Sequence, residues 1–225
     1  MNDKNNLKMR AAYDLMLYIN YFLTSNLLFC ASILLPAAWL IFFTPSLMNI
    51  IAIGFIFPGI AALVSCCIKY KESKTEAVQG VLKHFIEGYR KNFKDTIKYC
   101  FVYAAIIFAV IFNINYYGGE MPLFMIIALF VLITLSTLIV TYMMVIAAKF
   151  QFRARDLLKV SIYCILMHFK ATIKIFITYV VLFFAYPWVG VMIMLLFTSP
   201  IVYVIIHFAH PVLEDVYETF VEKLE

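Results

Sequence analysis

Residues 93–98 read Phe-Lys-Asp-Thr-Ile-Lys, and residues 169–174, 76 positions further on, read Phe-Lys-Ala-Thr-Ile-Lys. At the same offset further identities follow: Leu82/Leu158, Lys83/Lys159, Ile86/Ile162, Tyr103/Tyr179, Phe108/Phe184 and Ala109/Ala185. Self-similarity of this kind indicates a duplicated structural unit. Each copy leads from a polar segment into a charge-free apolar run, so both would enter a membrane from the same side. The repeat is therefore predicted to be parallel rather than inverted.

The composition around this repeat is that of a membrane protein. Of the 225 residues, 65% are hydrophobic and 14% are charged, whereas soluble domains have about 45–50% apolar and about 25% charged residues. A soluble fold of this length has too little interior to bury so much apolar surface. We therefore predict an all-α polytopic membrane helix bundle, with residues 1–225 forming a single membrane domain.

The apolar runs divide into hairpins. A helix needs about 20 apolar residues to cross the hydrocarbon core, and the charge-free stretch between Asp14 and Lys69 has room for two such helices. Thr44-Pro45-Ser46 is the predicted turn between them. Extended along the chain, this reasoning predicts three hairpins near residues 17–68, 97–148 and 172–209.

The third hairpin is the ambiguous one, because residues 175–206 form one span or two. Pro187 and Gly190 are helix breakers, and Tyr186 and Trp188 favour the lipid–water boundary. The first copy of the repeat also contains a hairpin at the corresponding place. We therefore favour six spans and keep five as the alternative.

Lys and Arg residues cluster in alternate segments and so indicate orientation. They occur in the N-terminal segment and in two connectors, residues 69–96 and 149–171, whereas the intervening loops contain only the charge of Glu120. The basic segments are predicted to be cytoplasmic, with both termini inside. The C-terminal tail, residues 211–225, is acidic and adds little to this assignment.

The first connector has the pattern of an amphipathic helix. Ser73 and Glu76 have the spacing of a capping box, and apolar residues follow at helical spacing on one face. The basic residues of the other face are Lys83, Arg90, Lys91 and Lys94. These side chains are predicted to contact anionic lipids of the inner leaflet. The alternatives are packing on the bundle and docking of a partner, such as a transporter subunit.

The second connector is predicted to be more buried than the first. After Arg153, Arg155 and Lys159, the residues from Val160 to Met167 are apolar on nearly all sides of a helix. A helix with this pattern usually packs against other helices.

Polar residues within the spans are few. Asn20, Thr24 and Asn26 lie in the first span, and Thr137 and Thr141 lie in the fourth. Such residues usually serve helix–helix contacts. The alternative is a polar path for a neutral solute between the two spans.

The sequence offers little catalytic or ligand-binding chemistry. His207, His210 and Glu214 have the spacing of one helical face and are the candidates for a divalent metal. Interfacial histidines without a ligand are commoner, so we predict neither a metal site nor a cofactor. The clustering of basic residues beside apolar runs argues against nucleic acid as a partner.

Two segments resemble a known family. Pro58-Gly59-Ile60-Ala61-Ala62-Leu63 and the aromatic and basic stretch Phe85–Lys94 are similar to motifs of the YesL-type family of small bacterial membrane proteins. The resemblance implies a location in the bacterial plasma membrane and an association with carbohydrate uptake. It implies no catalytic residues, because the family is a domain of unknown function.

Three functional hypotheses follow. The first is a non-enzymatic membrane protein that assists or modulates a membrane system, with carbohydrate uptake as the expected process. The second is a small permease or channel for a neutral solute. The third is a membrane enzyme that acts on lipid or a lipid-linked sugar.

Overall fold

The described part of the chain is all-α, as predicted. The structure is a computed structural model that describes residues 2–42, 48–117 and 121–221, without the side chains of 2–11, 41, 48, 75 and 191–194. The predicted turn at Thr44–Ser46, residue Glu120 and the last four residues of the acidic tail lie outside it. The helices are α1 (Asn2–Phe42), α2 (Met48–Glu72), α3 (Lys74–Gln79), α4 (Val81–Tyr117), α5 (Leu123–Lys149), α6 (Ala154–Met167), α7 (Phe169–Leu196) and α8 (Thr198–Val216), followed by a π-helical turn, Tyr217–Val221.

Five helices of the described ranges are long and apolar enough to cross a membrane. They lie within α1, α2, α4, α5 and α7, and α8 is not among them. The all-α membrane helix bundle is thereby confirmed, and the fold is that of a multi-pass membrane protein. Since α8 is shorter and ends in acidic residues, whether it makes a sixth crossing depends on how it packs.

The helix α2 forms the centre of the bundle. In its most apolar stretch 67% of the residues are buried, against 6% in α7. Helices α1, α4, α5 and α8 all pack on it. The small residues Ala61, Ala62 and Cys66 are completely buried there, which allows close approach of the neighbouring helices.

Helices α2 and α4 are antiparallel, and their contacts define the register. Gly54 faces the ring of Phe101, Asn92 donates a hydrogen bond of 3.1 Å to Ser65, and Lys69 pairs with Glu87 at 3.5 Å. The apolar span of α2 therefore lies beside the polar half of α4. Helix α5 lies instead beside the apolar half, since Tyr103 and Thr137 are 2.7 Å apart.

The third hairpin is divided where the sequence predicts. Gly190 has φ 73° and ψ 164°, a conformation that is essentially restricted to glycine, and α8 begins at Thr198. Helix α8 returns antiparallel to α7, because His168 lies 3.0 Å from Asp215 and the Lys174 ammonium lies over the Phe208 ring. The end of α8 therefore reaches the level at which α7 begins.

The first connector differs from the prediction in two ways. Ser73 occupies the N-cap of α3 but makes no side-chain capping bond, so the capping box does not form. The amphipathic segment is then continuous with the third span in the single helix α4. It packs along the bundle instead of forming a separate helix on the membrane surface.

The prediction that the second connector is buried all round is wrong. Only one face of α6 is buried, at Leu157, Val160, Ser161 and Cys164. The opposite face exposes Leu158, Ile162, Leu166 and Met167. The apolar residues of α6 therefore include a stripe that faces the surroundings of the bundle, where a membrane supplies lipid.

Candidate functional site

The predicted basic face of α4 is exposed. Lys83, Arg90, Lys91 and Lys94 all lie at the surface. Lys83 is 3.9 Å from Glu87, which also pairs with Lys69. Within the described part of the chain Arg90, Lys91 and Lys94 form no ion pair, so their charges are available to an external partner.

A cavity of about 570 Å³ opens beside this face, between α2, α4 and α5. This volume lies within the range of about 300–1,000 Å³ that is typical of ligand pockets. The ionisable residues of its lining are one histidine, four basic residues and two acidic residues. They are His84, then Lys69, Arg90, Lys91 and Lys149, and finally Glu72 and Glu87. Two of the basic residues are paired, Lys69 with Glu87 and Lys149 with Glu72 at 3.6 Å.

The floor of the cavity is built from small residues. Gly88 is buried against Ser65, and a Cβ at Gly88 would lie 2.9 Å from the Ser65 Cβ. Ser65 in turn accepts the bond from Asn92. A second cavity of about 220 Å³ lies towards Gln151 and shares Lys91 with the first. Lys91 therefore lines both cavities.

The residues of the predicted polar path lie in three separate places. Asn20 and Thr24 are hydrogen-bonded to each other along α1 at 3.2 Å, and Asn20 is exposed. Thr137 and Thr141, on α5, are bonded to Tyr103 and Tyr179 at 2.7 and 2.6 Å. Those tyrosines are repeat equivalents, so the two copies contact α5 through the same kind of bond, one helical turn apart.

Asn26 is buried in a third environment, at the junction of α7 and α8. Its side-chain amide donates to the carbonyl oxygens of Leu195 and Leu196 at 2.7 and 2.6 Å. Its carbonyl oxygen accepts from the backbone N–H of Ser199 at 3.2 Å, and Ser25 contacts the Ser199 hydroxyl at 2.7 Å. The sequence analysis named Asn26 but did not predict these hydrogen bonds, which join residues about 170 positions apart.

The three metal-ligand candidates do not converge. His210 and Glu214 are 3.2 Å apart, whereas His207 is exposed beside Phe208. Among the residues that the structure describes, no group of three His, Cys, Asp or Glu side chains is placed to hold a metal ion. Helix α8 runs through Pro211, so the proline does not explain this separation.

A polar contact that the sequence did not predict ties the second connector to the C-terminal end of α8. His168, at the break between α6 and α7, bonds to Asp215 at 3.0 Å. His168 is the repeat equivalent of Asn92, which bonds to Ser65. The 76-residue offset of the repeat is the only feature of the sequence that points to a polar contact at His168. Nearby, burial and then the Asp215 carboxylate raise the pKa of the Cys164 thiol to about 12, so this cysteine is not a thiolate at neutral pH.

The fold and the site together define a class: an all-α multi-pass membrane bundle with a basic cavity at one end. Residues 16–114 match a family model described as "Protein of unknown function, DUF624". The match covers most of α1, then α2 and α3, and nearly all of α4, and so includes the basic face and most of the cavity lining. No curated protein and no solved structure matches the chain.

Proposed function

We propose that this protein is a non-enzymatic membrane protein of the YesL type, which assists or modulates a transport system of the bacterial plasma membrane. Both termini are cytoplasmic in this proposal, since the basic segments share one side. Carbohydrate uptake is the expected process, and its choice rests on the family resemblance alone.

The observation that carries the proposal is the exposed basic face of α4. Arg90, Lys91 and Lys94 have no ion-pair partner among the described residues, although α4 is otherwise packed along the bundle. Rim charges of this kind steer and orient a partner more than they supply affinity. The face therefore suits a cytoplasmic subunit or loop with an acidic surface.

The permease hypothesis receives less support. It requires the polar residues of the first and fourth spans to line one path, and the hydrogen bonds of Asn26, Thr137 and Thr141 instead join helices at separate places. The third hypothesis, an enzyme acting on lipid or a lipid-linked sugar, requires polar groups that converge around His207, His210 and the connector lysines, and His207 lies beside Phe208, apart from the His210–Glu214 pair. We therefore retain the accessory role as the proposal.

Affinity purification of the tagged protein in mild detergent tests the proposal. Transporter subunits should be enriched with the wild type, and the variant Lys83→Gln/Lys94→Gln should recover about fivefold less of them, because two exposed charges are lost. The matched control is Lys159→Gln/Lys170→Gln, which removes the exposed charges at the equivalent positions of the second copy. Recovery of the protein alone, or an equal loss with the control, would contradict the proposal.

A further inference from the structure

The cavity between α2, α4 and α5 contains more positive than negative charge. Four basic residues line it against two carboxylates, Glu72 and Glu87. Lys69 and Lys149 form ion pairs with those carboxylates. They also lie in the last turns of α2 and α5, where cations interact favourably with the helix dipole. Arg90 and Lys91 have no ion-pair partner among the described residues, and they do not lie in the last turn of their helix.

The second copy of the repeat has no charge at these two positions. The equivalents of Arg90 and Lys91 are Leu166 and Met167, which are 72% and 64% exposed. Two nearby positions are buried in both copies: Phe85 and its equivalent Ser161, and Gly88 and its equivalent Cys164. The two cations are therefore particular to the first copy, where they line the cavity.

The level of the cavity also favours an anion. It lies where α2 and α5 both end, at the boundary between their apolar spans and the basic connector. In a bilayer this is the depth of the headgroup phosphates. Basic pockets between membrane helices at this level suit anionic headgroups, and a guanidinium next to an ammonium suits a phosphate oxygen cluster.

We infer that this cavity binds a phosphate group, either in the headgroup of an anionic phospholipid or as free phosphate, through Arg90 and Lys91. Gly88 and Ser65 form the floor on which the group rests, and the Lys69–Glu87 and Lys149–Glu72 pairs form the walls. The site shares Arg90 and Lys91 with the basic face of the accessory proposal, but its test requires only the protein and the phosphate-bearing molecule. Phosphate binding is expected only at the first copy of the repeat, because the second copy has Leu166 and Met167 at the equivalent positions.

Ligand binding to the purified full-length protein in neutral detergent tests the inference. The probes are dioleoyl phosphatidylglycerol, dioleoylglycerol (the same chains without phosphate) and inorganic phosphate, with native mass spectrometry for the lipids and thermal shift for phosphate. We expect at least about tenfold preference for the phosphatidylglycerol over dioleoylglycerol, or a stabilising shift with phosphate. If inorganic phosphate does not displace the bound lipid, the ligand is the lipid headgroup. If inorganic phosphate displaces the lipid or raises the melting temperature, the site recognises the phosphate group itself.

Two variants on the same helix separate this site from general surface charge. Arg90→Gln/Lys91→Gln should weaken binding at least about tenfold, whereas Lys83→Gln/Lys94→Gln, which removes two charges outside the cavity, should change it less than about twofold. The charge-conserving variant Arg90→Lys/Lys91→Arg should keep binding and shows that loss is not caused by unfolding. Equal binding of both lipids with no phosphate shift, retained binding in the Arg90/Lys91 glutamine variant, or equal loss in both glutamine variants would overturn the inference.

Discussion

Asn26 determines how the last two helices meet. Its amide is hydrogen-bonded to two carbonyl groups at the end of α7 and to one N–H at the start of α8. Groups at helix ends have no partner within their own helix, and inside a membrane protein they need one. Asn26 supplies it from α1 and thereby fixes the junction to the first helix.

We therefore expect Asn26→Leu to destabilise the protein by at least about 2 kcal/mol, because one buried N–H and two partly buried carbonyl groups lose their partner. The measurement is the free energy of unfolding in detergent by denaturant titration. Asn20→Leu is the control on the same helix; it removes only an exposed intrahelical bond and should change stability by less than about 0.5 kcal/mol. Equal effects of the two substitutions would contradict a clamping role for Asn26.

At the scale of elements, α4 and the α6–α7 pair show how two related sequences take different forms. The first copy is continuous from Val81 to Tyr117, whereas the second breaks at His168, between Met167 and Phe169. At the equivalent position Asn92 bonds across to Ser65 on α2, while His168 bonds to Asp215 on α8. The residue that contacts α2, Asn92, lies within a continuous helix. The residue that contacts α8, His168, lies at a helix break.

The closeness of α2 and α4 depends on Gly88. Its Cα lies so near Ser65 that any side chain requires the helices to separate. We expect Gly88→Leu to lower the free energy of unfolding by about 1–3 kcal/mol through overpacking, measured by the same titration. Ala105→Leu, at an exposed position of α4, is the matched control and should have little effect; a similar loss in both would show that close packing is not the cause.

At the scale of the whole molecule, the number of crossings depends on α8. Hydropathy alone gives five spans among the described helices, but the antiparallel packing returns the end of α8 to the level of Lys174 and His168. Helix α8 buries eight side chains against the bundle, so its low hydropathy does not prevent it from crossing. We therefore retain the prediction of six crossings.

Cysteine accessibility tests this topology. In a background without the native cysteines, a membrane-impermeant maleimide should label Lys83→Cys, Lys159→Cys and Glu218→Cys only from the cytoplasmic side and Trp188→Cys only from outside. These positions are exposed, so reactivity reports sidedness. Labelling of Trp188→Cys and Glu218→Cys from the same side would contradict the sixth crossing, and labelling of Lys83→Cys from outside would contradict the orientation.

The sequence by itself determined the class, the repeat and the break near Gly190. Apolar run length, charge placement and helix-breaking residues are local properties, and they act within one or two turns of the chain. The exposure of the basic face followed in the same way, because lysine and arginine are rarely buried unpaired.

Only the tertiary structure decided which neighbours each helix has. It placed the apolar span of α2 beside the polar half of α4, brought Lys149 to Glu72, and joined Asn26 to residues at the other end of the chain. It also exposed one face of α6, which the apolar pattern predicted to be buried. In a membrane, lipid and protein both accept an apolar surface, so hydropathy cannot tell a face in contact with helices from one in contact with lipid, and only the packing of small residues and polar bonds separates them.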